Sequence, residues 1–344
     1  MEWPKIKLIP ILLLAGLMAC QNEEVGPQST VDSGSGVFAY NDGLLIVNEG
    51  TFNFSNASVS YYQPENGVSV SQVFERQNEL PLGDVLQSIY LDEEDLYLVV
   101  NNSSRISVVD PVNFRLRRDF FNMGSPRYLV RYGDRLFISQ LFDPNIWVVD
   151  ANSGELIEKW PTPGWTERVL VTDTLLWVEC YSSQELLPYN LKNDSALAPI
   201  PISGGPNSTL SANGRIYGLI AMAVGSRLFE IDPITRERTR ELSLVPFDAM
   251  HLRFDAFSGK LYFWSGGGVF QINLNDWALE TDTLFRTGNK NVGGLYLDPL
   301  DRNWYYTDVL DFASQGWLYR VDEEYNHTED SVRMGFIPRY ILRP

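Results

Sequence analysis

The chain has 344 residues, enough for one large domain or two ordinary ones, and its 44% hydrophobic residues, with 17 Tyr, 18 Phe and 9 Trp, supply ample material for a core. A formal charge of −17 runs against the clustered Lys and Arg on which phosphate binding depends, so nucleic acid is not an expected partner and anionic headgroups would repel the surface. Two cysteines, Cys20 and Cys180, are too few for a disulfide framework.

Residues 1–20, MEWPKIKLIPILLLAGLMAC, carry Lys5 and Lys7 ahead of an apolar run from Leu8 to Met18. That run is too short to span a bilayer and reads as a secretory signal. Its end, Leu17-Met18-Ala19-Cys20, resembles the lipobox of bacterial lipoproteins, which implies lipidation of Cys20 as the mature N-terminus. An ordinary signal cut at a nearby site is the alternative. The acidic Gln21-Asn22-Glu23-Glu24 that follows resembles the export signal of surface lipoproteins, or else is only a hydrophilic tether. Residues 21–36 are rich in Gly, Ser and Pro and are expected to form a flexible stalk, with the fold beginning near Val37 and running to 344.

From Val37 onward apolar residues recur in short alternating runs punctuated by turn residues, the pattern of strands. A strand followed by a turn recurs as SVSYYQPENG, ISVVDPVNF, IWVVDANSG, LLPYNLKND, LFEIDPITR, VFQINLNDW and LYRVDEEYN, at intervals of 40 to 48 residues. Seven such units predict a seven-bladed β-propeller, all-β, because a four-stranded blade cannot bury both faces alone. Each unit has a second strand upstream (LYLVV at 96–100, LFISQ at 136–140) and an innermost strand before that (LQSIYL at 86–91, PRYLVR at 126–131). The first unit has its second strand, GLLIVNEG, but no innermost one. The terminal GFIPRYILRP nearly repeats GSPRYLVRYG of 124–133, so residues 336–342 are expected to pair beside GLLIVNEG and close the ring.

Catalytic sets are not apparent, and the expectation is a protein that is not an enzyme. The two histidines, His251 and His327, have no companion at ligand spacing and are read as structural or surface residues. Cys180 has no basic neighbour in sequence and reads as a buried, inert thiol. The loops leaving the second strands share one face of a propeller: NEGTFNFSNAS with Asn56, QLFDPN with Phe142, CYSSQE with Tyr181, TDVLDFASQG with Phe312. Aromatic faces mixed with amides and hydroxyls suit a large neutral ligand. At the start of the innermost strands stand Gln87, Arg127, Arg168, Asn207 and Arg339, expected to point at the mouth of the central channel. Three arginines there would make a positive spot on an acidic protein, or would pair with neighbouring carboxylates.

The stretches NEGTFNFSNASVSYYQPENG, LPLGDVLQSIYL, NNSSRISVVDP and SPRYLV resemble the surface-lipoprotein branch of the YncE-like seven-bladed propellers, a branch that carries a domain of unknown function. Members of that branch include corrinoid-binding lipoproteins that sit on a TonB-dependent outer-membrane transporter. The resemblance implies a cobalamin or other corrinoid as transported ligand, not as cofactor, a transporter as partner, and a lipid-anchored place at the outer membrane. Position by position it implicates Asn48, Glu49, Gly50, Leu82, Gly83, Asp84, Val85, Asn101 and Asn102. An interaction scaffold for an envelope protein or glycan, and a metal-dependent propeller hydrolase, are the competing readings.

Overall fold

The alternating runs become strands because β-branched and aromatic residues fit a pleated surface, and the Asp-led turns between them end each strand. The computed structural model describes residues 39–344 apart from 93, 203–204, 323 and 326, and gives the backbone only for 205–207 and 327–330. The expected signal segment, Cys20 and the tether lie outside the described residues, as do the side chains of Asn207 and His327. The described residues form seven antiparallel sheets. They are the seven blades of a β-propeller, whose innermost strands are, in ring order, Pro338–Leu342, Leu86–Leu91, Pro126–Tyr132, Thr166–Thr172, Gly205–Ala212, Met250–Asp255 and Val292–Leu297.

Blade 1 is closed as the sequence predicts. Its order is Pro338–Leu342, Leu44–Asn48, Ser58–Gln63, Val68–Val70, with Leu45 opposite Leu342 and Val47 opposite Tyr340. Three side chains, Asn48, Thr307 and Arg343, further hold this seam. Asn48 Nδ2 donates to Ser60 Oγ at 2.9 Å while its Oδ1 accepts from the Gly335 backbone N–H at 3.0 Å. Thr307 Oγ1 donates to the Pro338 carbonyl at 2.6 Å. At the opposite face Arg343, just past the closing strand, ion-pairs with the fully buried Asp298 of blade 7 and donates to the Asp42 carbonyl of blade 1 at 2.8 Å. The closing strand packs so near blade 7 that a Cβ on Gly294 would strike the Arg339 carbonyl, so only glycine fits there.

The core lies between blades, not within them. The second strand Leu96–Val100 is buried at every residue because neighbouring blades cover both of its faces. Between blades 3 and 4, Trp160 stacks on Tyr189 and packs tilted against Phe137, with ring centroids 5.2 Å apart in each case. Across the seam, Leu44, Ile46 and Tyr62 of blade 1 meet Tyr305, Leu318 and Met334 of blade 7. Cys180 is a free thiol buried between blades 3 and 4. The outermost strand Glu237–Ser243 alternates exposed and half-buried charge and so blunts an open edge.

The repeating aspartates have a local role. Asp110, Asp150 and Asp232 each accept backbone N–H groups two and three residues on, for Asp150 from Asn152 at 3.0 Å and Ser153 at 2.8 Å. These side chains replace the strand ladder where it turns. One element departs from the all-strand expectation: blade 1 has an outer strand of only three residues, and a short helix, Val73–Asn78, follows it, burying Val73 and Phe74 against the blade.

Candidate functional site at the channel mouth

The seven innermost strands share a defect at one end. In each, the pairing to the second strand slips by one residue near the strand's start, on the face that carries the long loops. A bulge of this kind leaves one residue out of the ladder and re-aims its side chain, here toward the channel. The register puts Gln87, Arg127, Glu167, His251, Gly293 and Arg339 at equivalent places around the mouth. This corrects the sequence alignment, which sets Arg168 beside Arg127. Glu167 occupies that place, and Arg168 lies one residue deeper, level with Tyr128 and Tyr340.

The predicted positive spot is thereby mostly neutralised at the mouth. Arg127 forms an ion pair with Glu167 at 2.8 Å and also donates to Gln87 Oε1. Arg339 pairs with Glu49. Deeper in, Tyr128 and Tyr340 hydrogen-bond to each other across the channel at 2.6 Å, and the Arg168 guanidinium lies over both rings, 5.2 and 5.9 Å from their centroids. Burial pushes the Tyr128 hydroxyl well above its ordinary value, so it stays neutral. These three side chains form a floor that separates two cavities. The mouth cavity, about 290 Å³, is bounded by Trp165, Tyr181, Glu167, Glu179, Met250, His251 and Arg339; the second, about 370 Å³, lies beyond the floor among Ser88, Leu129, Val169 and Thr209.

Two residues that the sequence does not single out as functional belong to this site. His251, expected to be structural or a surface residue, lines the mouth cavity at φ 56° on the bulge, with Nε2 3.0 Å from the Val292 carbonyl. Burial, reinforced by the Arg253 guanidinium, drives its imidazole down to about 3, so it is neutral at physiological pH. Glu179 lies in a second strand, on the face that alternation turns toward blade 5, at the end nearest the channel. There it borders the cavity and accepts a hydrogen bond from Thr209, and burial lifts its carboxyl to about 6 against the pull of Arg168. The Arg253 guanidinium, pushed down to about 10 by burial and then by Arg168, donates to the Leu295 and Leu252 carbonyls.

The amides singled out from the sequence serve the loops themselves. Asn48 is wholly buried in the seam. Asn56 Oδ1 accepts the Thr51 N–H at 2.7 Å, and Asn101 Nδ2 donates to the Pro126 carbonyl at 2.9 Å. Asp84 ties two loops together by accepting from the Asn53 N–H at 2.8 Å and from Asn102 Nδ2 at 2.6 Å. The aromatic residues behave differently. Phe142 is 81% exposed, Phe54 71% and Phe312 50%, all on the loop face, and Tyr181 leans on Trp165 with centroids 4.7 Å apart. Among the described residues no group of three or more His, Cys, Asp or Glu is arranged to hold a metal ion.

Comparisons with solved structures show this same fold. A quinonprotein alcohol dehydrogenase-like protein from Bacteroides thetaiotaomicron superposes with a TM-score of 0.69 at 13% identity, over 88% of this chain and 78% of that one. Apo AztD from Citrobacter koseri gives 0.57 at 11% identity over 87% and 96%. BamB from Moraxella catarrhalis gives 0.55 at 12% identity over 87% and 85%. At such identities the likeness concerns the fold alone. No curated protein matches the sequence. Residues 42–288 match a protein family described as a domain of unknown function, and this chain is a member of that family, DUF5074.

Proposed function

We propose that this protein is a binding protein of the cell envelope, lipid-anchored through Cys20 at the outer membrane, that captures a bulky nutrient on its loop face. The favoured ligand is cobalamin or another corrinoid, passed on to a TonB-dependent outer-membrane transporter. The observation that carries the reading is the set of exposed aromatic side chains on the loop face of the ring, Phe54, Phe142 and Phe312 on the loops and Tyr181 at the channel mouth. Exposed aromatic surface of this kind marks a contact site, and flat rings suit the edge and face of a large macrocycle. The lipobox-like Leu17-Met18-Ala19-Cys20 and the family-like stretches around Asn48, Asp84 and Asn101 support the same reading. No catalytic role is assigned.

The test is a calorimetric titration of the purified protein with cyanocobalamin. Saturable binding at about micromolar ligand or below, lost in a Phe142→Ala, Phe312→Ala double variant, is the expected result. No heat and no change in the corrin absorbance at that concentration would remove the corrinoid from the proposal.

A specific observation keeps a second reading in play. Because Asn48 spends its whole amide, and Asn56 and Asn101 one amide atom each, on internal bonds, the face offers fewer free amide groups than its sequence suggests. A mostly apolar rim fits a protein surface as well as a small ligand. Co-purification of a transporter equally well with and without vitamin would favour the scaffold.

A further inference from the structure

The geometry points to a carboxylate-binding site inside the channel: Arg168 is placed to take the acid group of a small aromatic carboxylate held against Trp165 and Tyr181. The starting point is an imbalance among the channel arginines. Arg127 has Glu167 and Gln87, Arg339 has Glu49, and Arg253 has two backbone carbonyls. The Arg168 side chain, by contrast, has neither a hydrogen bond nor an ion pair among the described residues; only its flat faces are used, over Tyr128 and Tyr340. A guanidinium stays charged at any physiological pH, and this half-buried one lines the cavity with its donors unused by the described residues, ready for an acceptor that enters.

Stacking occupies the faces of the group and leaves its in-plane N–H fork open, which is the geometry that meets a carboxylate with two parallel hydrogen bonds. Glu179 and Glu167 attract the guanidinium, but neither hydrogen-bonds to it, since Glu167 is held by Arg127 and Glu179 accepts from Thr209, so the fork itself stays open. The rest of the mouth cavity suits the body of a flat acid. Trp165 and Tyr181 form an aromatic wall, and Gly293 opposite contributes no side chain. The Trp165 indole N–H at the same wall is shielded from solvent and finds no acceptor among the described residues. A space of about 290 Å³ is far too small for a corrin, so this site does not depend on the proposed capture of a macrocycle on the rim.

The experiment uses benzoate as probe on the purified protein in the absence of any corrinoid, read by thermal shift and by saturation-transfer NMR. Benzoate at about 10 mM is expected to bind and raise the melting temperature, and the neutral isostere benzamide to bind about ten- to hundredfold more weakly, the loss of a charge-assisted pair. Arg168→Gln should abolish the effect. Arg168→Lys keeps the charge without the planar fork and should weaken benzoate about tenfold, which keeps the test decisive if the Gln variant does not fold. Benzamide binding as tightly as benzoate, unchanged benzoate binding in a folded Arg168 variant, a preference for inorganic phosphate, or no binding at all would each overturn the site and leave Arg168 as a plug between the tyrosines.

Discussion

The two faces of this ring are built from the same strands and differ in almost everything else. On one face the turns are short and led by Asp110, Asp150 and Asp232, whose carboxylates cap their own backbones. Ion pairs cross from blade to blade there, Arg131 to Asp92, Arg302 to Asp255 and Arg343 to Asp298. On the other face the loops are longer and the innermost strands bulge; Phe54, Phe142 and Phe312 stand in solvent there, as Phe257 and Ile234 do on the capped face. The contrast is one of degree: the loop face keeps the Arg127–Glu167 pair and the seam bonds of Asn48 and Thr307, while its loops between them are freer, the division expected when recognition rides on loops held by a rigid scaffold.

The largest expected effect comes from breaking what both faces share, the seam. Deleting residues 336–344 removes the innermost strand of blade 1 along with Arg343, and is expected to abolish both the cooperative melt and ligand capture. A truncated chain that still melts sharply would place the closure elsewhere. Next comes the capped face alone: Asp298→Ala leaves Arg343 buried without its partner and is expected to cost about 3–5 kcal/mol in denaturant melts, with binding intact in the folded fraction. Little change would mean that this face is not where stability resides.

The channel between the faces is probed by pH. Glu179 has a carboxyl raised by burial to about 6, so the folded state holds its proton more tightly than the unfolded one. Its contribution to stability is complete below the unfolded value near 4.5 and is lost as pH rises through about 6. Glu179→Gln, which keeps an acceptor for Thr209, should therefore stabilise the fold at pH 8 by about 2 kcal/mol and by much less at pH 4, as read from urea melts at the two pH values. The smallest effect on stability is expected on the open face: Phe142→Ala and Phe312→Ala should each stay within about 0.5 kcal/mol of the parent while weakening ligand binding. If either loosens the fold by much more than that, the aromatic rim is structural and the contrast between the faces fails.

Much of the scaffold is legible in the chain because it rests on local signals that repeat. Seven turn-ended strands mark seven blades, and the likeness of PRYIL to PRYLV is enough to identify the closing strand. Phe142 and Phe312 fall on the loop face because loops after second strands must lie there. The site is less legible, and the reason is geometric. A slip of one residue at each bulge moves a side chain from one wall to another, and no propensity marks where the slip falls. That is why alignment of the repeats sets Arg168 level with Arg127, and why His251 and Glu179 look like ordinary strand residues. The amides of Asn48 and Asn101 are visible as residue types, but their partners, Gly335 and Pro126, lie far along the chain or in the next blade.

The sequence by itself therefore determined the blade count, the order of strands and the segment that ends the ring, because period, alternation and turn chemistry act over a few residues at a time. Only the tertiary structure decided which charges in the channel are paired. Tyr128, Arg168 and Tyr340 come from three different blades, and their meeting depends on the bulge in each innermost strand, which no short stretch of chain encodes.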